Sequence, residues 1–454
     1  MPDQVADATL EALGYKPEFK RVLSLRDLIL YGLVILTPTA PYPVYRIVQK
    51  LSHGHAALAY LVAMVAMLFT AASYGKMAGA YPTAGSTYAQ RSLNEHVGFL
   101  AGWAMILDYF LIPLLSVAYA GLTAARLVPS IPYAVWAVVF TISITIINIR
   151  GIQMTARASR WMMIIMTFSA VLFVGLAGLY VVRHQGWSGL FVGAAVFNRA
   201  TFMVRPLMLG AGVAALSYIG FDAVSTLAED TQNPEKNIAI ATVAVCVIQT
   251  AFCFATVYLA ALVWPNFNSF PQDATAILDI SGLLGGALMF GFITFVPLVA
   301  GLASPLTGQV GASRLLFGMG RDGVIARSIF GYVSPRYNTP TRAIYVMAAV
   351  TLVGSLVLHF ELAVELLNFG AFVGFILVNL SVIRHYYFRR KLRAGLAILT
   401  NLLFPLLGTV TCVYLWINLS DKARIVGFIW LGLGVIYLAG LTQGFRRPPR
   451  AMKI

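Results

Sequence analysis

Leu36-Thr37-Pro38-Thr39-Ala40-Pro41-Tyr42-Pro43-Val44-Tyr45-Arg46 puts three prolines within six residues, halfway along an otherwise apolar run. Each proline removes a backbone N–H and its ring crowds the preceding turn, so the sequence predicts a helix that breaks here. The run is one of a series. Apolar segments of about 20 residues recur from Leu28 to Leu441, each long enough to cross a hydrocarbon core ~30 Å thick. The 454-residue chain is 59% hydrophobic and only 11% charged, far from the roughly 25% charged residues of soluble domains. Lipid cannot satisfy an open sheet edge, and the short alternating segments of a barrel are missing, so the spans are read as helices.

Twelve spans are expected, at 27–47, 56–80, 96–125, 132–149, 157–182, 206–228, 237–264, 284–309, 342–359, 362–385, 395–418 and 424–442, numbered here span 1 to span 12. They form one transmembrane domain, 26–442, between an N-terminal segment, 1–25, and a tail, 443–454. Residues 1–24 lack the pattern of a cleaved secretory signal, so insertion is expected to rely on span 1. Of the 32 Lys and Arg residues, 24 fall on the side that carries both termini and 8 on the other. The positive-inside rule then predicts a multi-pass protein of the cell (inner) membrane with both termini cytoplasmic. The cluster Arg384, Arg389, Arg390, Lys391 and Arg393 suits a topology anchor, with contact to anionic membrane lipid as the other reading.

Span 6 contains a second interruption, Ser217-Tyr218-Ile219-Gly220-Phe221-Asp222-Ala223-Val224-Ser225, with a glycine and an ionisable acid inside an apolar run. Two broken spans in corresponding places, each the first of a group of five, are the pattern of a binding site between inverted repeats. Freed N–H and C=O groups at such breaks point their dipoles at charged solutes.

Four further stretches carry a likeness to a known family: Tyr81-Pro82-Thr83-Ala84-Gly85-Ser86-Thr87-Tyr88, Asn148-Ile149-Arg150-Gly151, Ser217 to Thr231, and Ala312 to Gly323. In that order and spacing, from about residue 22 to 442, the chain resembles the amino acid-polyamine-organocation superfamily, within it the bacterial putrescine importers and related amino acid permeases. The resemblance implies an all-α integral membrane protein with a LeuT-type five-plus-five inverted repeat, at about 26–182 and 206–385, and spans 11 and 12 (about 395–442) appended. It also implies a secondary active permease that imports an amino acid or a small amine by alternating access, coupled to protons or to a counter-substrate. An exchanger, or a nutrient receptor on the same fold, is the alternative.

The implied substrate site draws on Thr37, Thr39, Ala40 and Tyr42 of span 1, Asp108 and Tyr109 of span 3, and Ser217, Tyr218, Gly220, Phe221 and Asp222 of span 6, with Thr294 to Pro297 of span 8 as a further wall. Asp222, Glu229 and Arg46 are the candidate gating or coupling residues. An ionised carboxylate at mid-membrane costs at least ~2.5 kcal/mol on insertion scales, so Asp222 and Asp108 are expected to face a cavity or a partner. The aromatic rings beside the breaks suit an organic ammonium, which a ring face attracts by ~0.5–2 kcal/mol.

The sequence departs from its relatives in three places. No glycine lies between Leu33 and Leu51, where amino acid carriers place bare N–H groups for an α-carboxylate. Pro43 stands where putrescine importers carry an aspartate, and Arg46 where a glycine is expected; the loop at Ser86-Thr87-Tyr88-Ala89 is also about two residues short. The helix 5 lysine of several relatives aligns near Met166.

Other classes find little support. The formal charge of +15 is spread through the gaps between spans and forms no basic face for nucleic acid. HExxH, GxSxG and GxxxxGK[ST] are absent, which argues against a membrane enzyme or an ATP-driven pump. Cys246, Cys253 and Cys412 sit in apolar segments without CxxC spacing and read as buried thiols.

Overall fold

The computed structural model describes residues 23–81, 85–150, 152–266, 268–270, 275–321, 325–337 and 339–446. Among them nine helices are long and apolar enough to cross a membrane. These are Ala56–Ala80, Glu95–Leu127, Trp161–Gln185, Val204–Ser225, Pro234–Val263, Ala276–Leu306, Phe360–Arg389, Leu396–Ile417 and Asp421–Leu441. Two shorter apolar helices, Tyr133–Ile149 and Thr341–Val357, lie at spans 4 and 9. Span 1 is split into Leu25–Leu36 and Tyr45–Leu51. The twelve expected positions are filled once these are included, although length and composition alone vouch for nine.

Span 1 starts at Leu25, where Ser24 and Asp27 cap the helix reciprocally through both side chains and both backbone N–H groups. Just before it, Leu23 forms a parallel bridge with Thr231, tying the approach to span 1 to the exit from span 6. The two interrupted helices are therefore linked at one end.

Without a hydrophobic driving force in lipid, helices associate where small residues let backbones approach. Span 2 meets span 7 at Gly75, where an added Cβ would lie 2.4 Å from Ala239 Cα. Span 3 meets span 8 at Gly301, where it would lie 2.1 Å from Ala120 Cβ. Span 8 is longer than expected and kinked near its start, at Gly285 and Gly286 (φ 62°). Span 12 is fastened to span 3 by two indoles, with Trp103 Nε1 donating to Trp430 O (2.9 Å) and Trp430 Nε1 to Trp103 O (3.0 Å).

Candidate substrate site

The break in span 1 lies where the prolines demand it. Leu25–Leu36 ends at Thr37, whose φ of 55° is a left-handed conformation that costs a β-branched residue on the order of 1–2 kcal/mol. From there to Val44 the chain runs through tight turns: Ala40 N donates to Thr37 O, Tyr42 N to Thr39 O and Val44 N to Pro41 O. The carbonyls freed at the end of the first half are taken by span 7. Gln249 Nε2 donates to Thr37 O (2.9 Å) and reaches Leu36 O (3.4 Å).

Span 6 is helical from Val204 to Ala214, tightens to a 3-10 turn at Ala215–Tyr218 and becomes extended at Ile219. Gly220 then takes φ +117°, and a second 3-10 stretch, Phe221–Asp230, follows. Only glycine fits there, since a Cβ would lie 2.4 Å from Ile35 Cγ2 in the first half of span 1. The two breaks therefore touch. Asp222 closes its own turn, its Oδ1 accepting from Gly220 N (3.2 Å), while Ser225 Oγ donates to Asp222 O (2.6 Å). Higher on span 6, Asn368 Nδ2 of span 10 donates to Gly212 O (2.8 Å).

Asp108 of span 3 and Asp222 are buried, 5% and 7% exposed, and close enough to feel each other's charge. Among the described residues neither has a basic partner, and Asp108 Oδ1 has no hydrogen-bond partner. On the side toward Leu23 and Thr231, four aromatic rings pack together as a plug-like cluster. Tyr74 lies edge-on to Phe221 (5.6 Å between ring centroids), Phe375 (6.0 Å) and Tyr88 (6.1 Å), and Phe221 leans on Phe375 (5.1 Å). On the other side, Phe270 sits on Trp264 (4.5 Å) and Tyr45 (6.3 Å), over the second half of span 1.

The remaining candidates divide. Thr39 and Tyr42 are buried, and Tyr42 faces span 5, through Ser169 Oγ (3.5 Å) and the Phe173 ring (5.8 Å). Ala40 and Thr37 are half-buried in the break. Tyr109 packs against the cluster of Ala312, Leu316, Ala343 and Met347 yet stays within electrostatic range of both acids. Ser217 and Tyr218 turn into the helix bundle: Ser217 Oγ meets Tyr60 OH (3.3 Å), and Tyr218 OH donates to Tyr60 O (3.1 Å) beside Thr250 Oγ1 (3.1 Å). Their hydroxyls thus join span 6 to spans 2 and 7. Arg46 lies in the second half of span 1, its Nη2 on Asn268 O (3.4 Å) and its guanidinium over the Phe270 ring (5.9 Å). Glu229 belongs to the 3-10 stretch, but its side chain lies outside the described residues. Thr294 and Pro297 are buried in span 8. Met166 is packed with Val296, filling the span 5 position with an apolar contact. All three cysteines are buried and free.

The chain matches the amino acid permease family over residues 44–436. It belongs to that family. It is 35% identical over 438 residues to the low-affinity putrescine importer PlaP of Escherichia coli (strain K12), covering 95% of this chain and 96% of the relative. It is 26% identical over 462 residues to the branched-chain amino acid permease BcaP of Bacillus subtilis (strain 168), covering 94% of each. The crystal structure of MhsT in complex with L-phenylalanine superposes with a TM-score of 0.59 at 16% identity, over 87% of this chain and 98% of that one. That likeness concerns the fold, which is the LeuT-type arrangement of helices.

This permease is thus a secondary transporter and not an enzyme. Its two broken helices meet beside the buried Asp222, with the buried Asp108 within electrostatic range and clusters of aromatic rings packed nearby. Two residues that hold the site, Gln249 and Asn368, escaped the motif-based reading. The signal for both was a strongly polar amide in the middle of an apolar span, a position that is expensive unless it serves a partner.

Proposed function

We propose that this permease imports a small amine of the putrescine class, held by its ammonium group at Asp222 and Asp108 in the gap between the broken halves of spans 1 and 6. One observation carries the choice of an amine over an α-carboxylate. Of the eight residues from Thr37 to Val44, three are prolines without an N–H. Four others, Thr37, Ala40, Tyr42 and Val44, donate theirs to nearby carbonyls. A substrate carboxylate finds little to grip there, while two buried acids without basic partners offer an ammonium group charge-assisted hydrogen bonds. The 35% identity to a putrescine importer points the same way.

Amino acids bound through their ammonium group are the second reading, favoured by the likeness to branched-chain amino acid permeases. Transport proceeds by alternating access. The plug of Tyr74, Tyr88, Phe221 and Phe375 parts toward the cytoplasm, and the Arg46–Phe270 layer, which serves as the outer gate, parts toward the outside. Glu229 lies on the inner gate. The gathering of 24 of the 32 Lys and Arg residues on one side supports an inner-membrane orientation with cytoplasmic termini. Proton uptake at Asp222, or return of a counter-substrate, drives accumulation.

Uptake into proteoliposomes tests this across putrescine, longer polyamines, cationic and neutral amino acids, with and without an inward proton gradient. Putrescine and its analogues are expected to enter at least tenfold faster than neutral amino acids of similar size. Faster uptake with the proton gradient identifies symport, and faster uptake with internal amine identifies exchange. Equal or faster uptake of neutral amino acids overturns the amine assignment.

A further inference from the structure

The connector between spans 5 and 6 is apolar for a segment that lies outside the spans. Its Trp187 is 74% and its Phe191 83% exposed, and Phe197 and Met203 are exposed further along. The 23 residues from Arg183 to Arg205 contain three arginines and no acid. The segment is nonetheless tied down. It forms two 3-10 turns, Trp187–Phe191 and Gly193–Ala195. Tyr258 OH of span 7 donates to Leu190 O (2.9 Å). Farther on, Asn198 N donates to His55 Nε2 (3.1 Å) at the start of span 2, and the Phe197 and Phe202 rings pack against that imidazole.

The path of the chain decides where the two large rings lie. Gly186 takes φ 73°, reversing the chain after the last turn of span 5. Gly189 then returns alongside that turn, so close that a Cβ would lie 2.5 Å from Gln185 Cβ and 3.1 Å from Val181 Cγ1. Val181 stands a full turn before the helix end, so the first 3-10 turn runs beside span 5 and does not rise away from it. Trp187, two residues past Gln185, lies at most ~7 Å from it, and the headgroup layer on each side of the hydrocarbon is itself ~5–7 Å thick. Along span 5, Phe168, Val171 and Leu179 are exposed, a face turned to lipid with which the two rings are continuous. Tryptophan favours this layer because it has an apolar body and one polar N–H, and arginine reaches out of it along an apolar stem. We infer that the connector lies in the membrane interface, with Trp187 and Phe191 inserted into a phospholipid bilayer surface at the end of span 5. The insertion anchors the chain where it passes from span 5 to the broken span 6. That the leaflet is the outer one rests on the orientation proposed above, whereas the insertion itself does not.

The test places spin labels on Trp187→Cys, on Phe191→Cys and, as a control in the exposed turn after span 3, on Ser130→Cys. The native cysteines are buried, so the label reaches the new thiols selectively. In phosphatidylcholine proteoliposomes, power-saturation EPR compares collisions with oxygen, which concentrates in lipid, against collisions with a water-soluble nickel chelate. Insertion predicts an oxygen-to-nickel ratio at 187 and 191 at least threefold above that at 130. Equal ratios at all three positions put the connector in water and overturn the inference. Labels at 187 and 191 shielded from both reagents overturn it as well, because protein, such as a second copy of this chain, then covers the patch. If a cysteine variant does not fold, the difference in fluorescence between wild type and Trp187→Phe carries the test. Brominated phosphatidylcholine is expected to quench that difference at least twofold, and an unquenched difference overturns the inference.

Discussion

Span 1 is broken by prolines and held open from outside, whereas span 6 is broken by a glycine and its turn is closed by its own acid. In span 1 the carbonyls of Leu36 and Thr37 at the break are bridged by Gln249, a residue of span 7, with Thr37 O also accepting from Ala40 N. In span 6 the turn at Gly220 is completed by Asp222, two residues on. The difference assigns different work to the two breaks. A break bridged by another helix is coupled to it, so the geometry of the span 1 break depends on where span 7 stands. A break that carries its own carboxylate keeps its charge in place whichever way the site opens, which suits the residue that binds the cation.

Several substitutions break or sharpen this contrast. The largest effect is expected from Gly220→Ala, because the residue needs φ +117° and its added Cβ would lie 2.4 Å from Ile35 Cγ2. Left-handed strain of about 1–2 kcal/mol and overpacking of about 1–3 kcal/mol both oppose it. A marked drop in melting temperature in detergent is expected, together with lost uptake, and Ile35→Ala should recover only the overpacking part. An unchanged melting temperature would show that the turn relaxes without glycine.

Gln249→Leu comes next. It removes the side-chain donor shared by the buried Leu36 carbonyl and by Thr37 O, which keeps Ala40 N, at a cost of about 1–3 kcal/mol. Uptake rate per folded molecule should fall roughly tenfold, while the same change at a scaffold contact should not slow transport. Trp103→Phe supplies that control. It removes one of two reciprocal indole hydrogen bonds between spans 3 and 12, worth about 0.5–1.5 kcal/mol, and uptake by the folded protein should stay within twofold of wild type. Equal slowing in both variants would erase the distinction between a held break and a structural seam.

The smallest effect is expected at Arg46. Among its contacts are a long hydrogen bond to Asn268 O and a ring contact to Phe270, and a cation–π contact near the surface contributes about 0.5–1 kcal/mol. Arg46→Ala should change the apparent affinity for substrate by no more than a few fold. Abolished binding would place Arg46 within the substrate site and not in the layer above it.

Much of this was legible from residue types alone. Three prolines and one glycine in apolar spans are local facts with local consequences, and both breaks lie where those residues stand. Asp108 and Asp222 stood out as candidates for the same reason, because a mid-membrane acid demands an explanation without any knowledge of the fold, and both are buried. What sequence reasoning missed depends on contacts between distant helices. Gln249 and Asn368 belong to no motif, and their value rests on which carbonyls face them. The aromatic plug joins Tyr74, Tyr88, Phe221 and Phe375, residues from separate helices of a chain in which 12% of residues are aromatic. Ser217 and Tyr218 illustrate the converse, since a good position beside a break did not reveal that their hydroxyls turn into the bundle toward Tyr60. The kink at Gly285 and Gly286 was written in the sequence as a Gly-Gly pair and went unread because the apolar run continues through it.

The central claim is that the carboxylates at the meeting of the two breaks hold the ammonium group of the substrate. Equilibrium binding of putrescine to purified wild type, Asp222→Asn and Asp108→Asn measures it directly. An asparagine at 222 can still accept from Gly220 N, so the turn survives while the charge is lost. Losing one partner of a buried charge pair costs about 2–5 kcal/mol, and the account predicts affinity at least ~30-fold weaker in Asp222→Asn, with a smaller loss in Asp108→Asn. Affinities within twofold of wild type in both variants would contradict it.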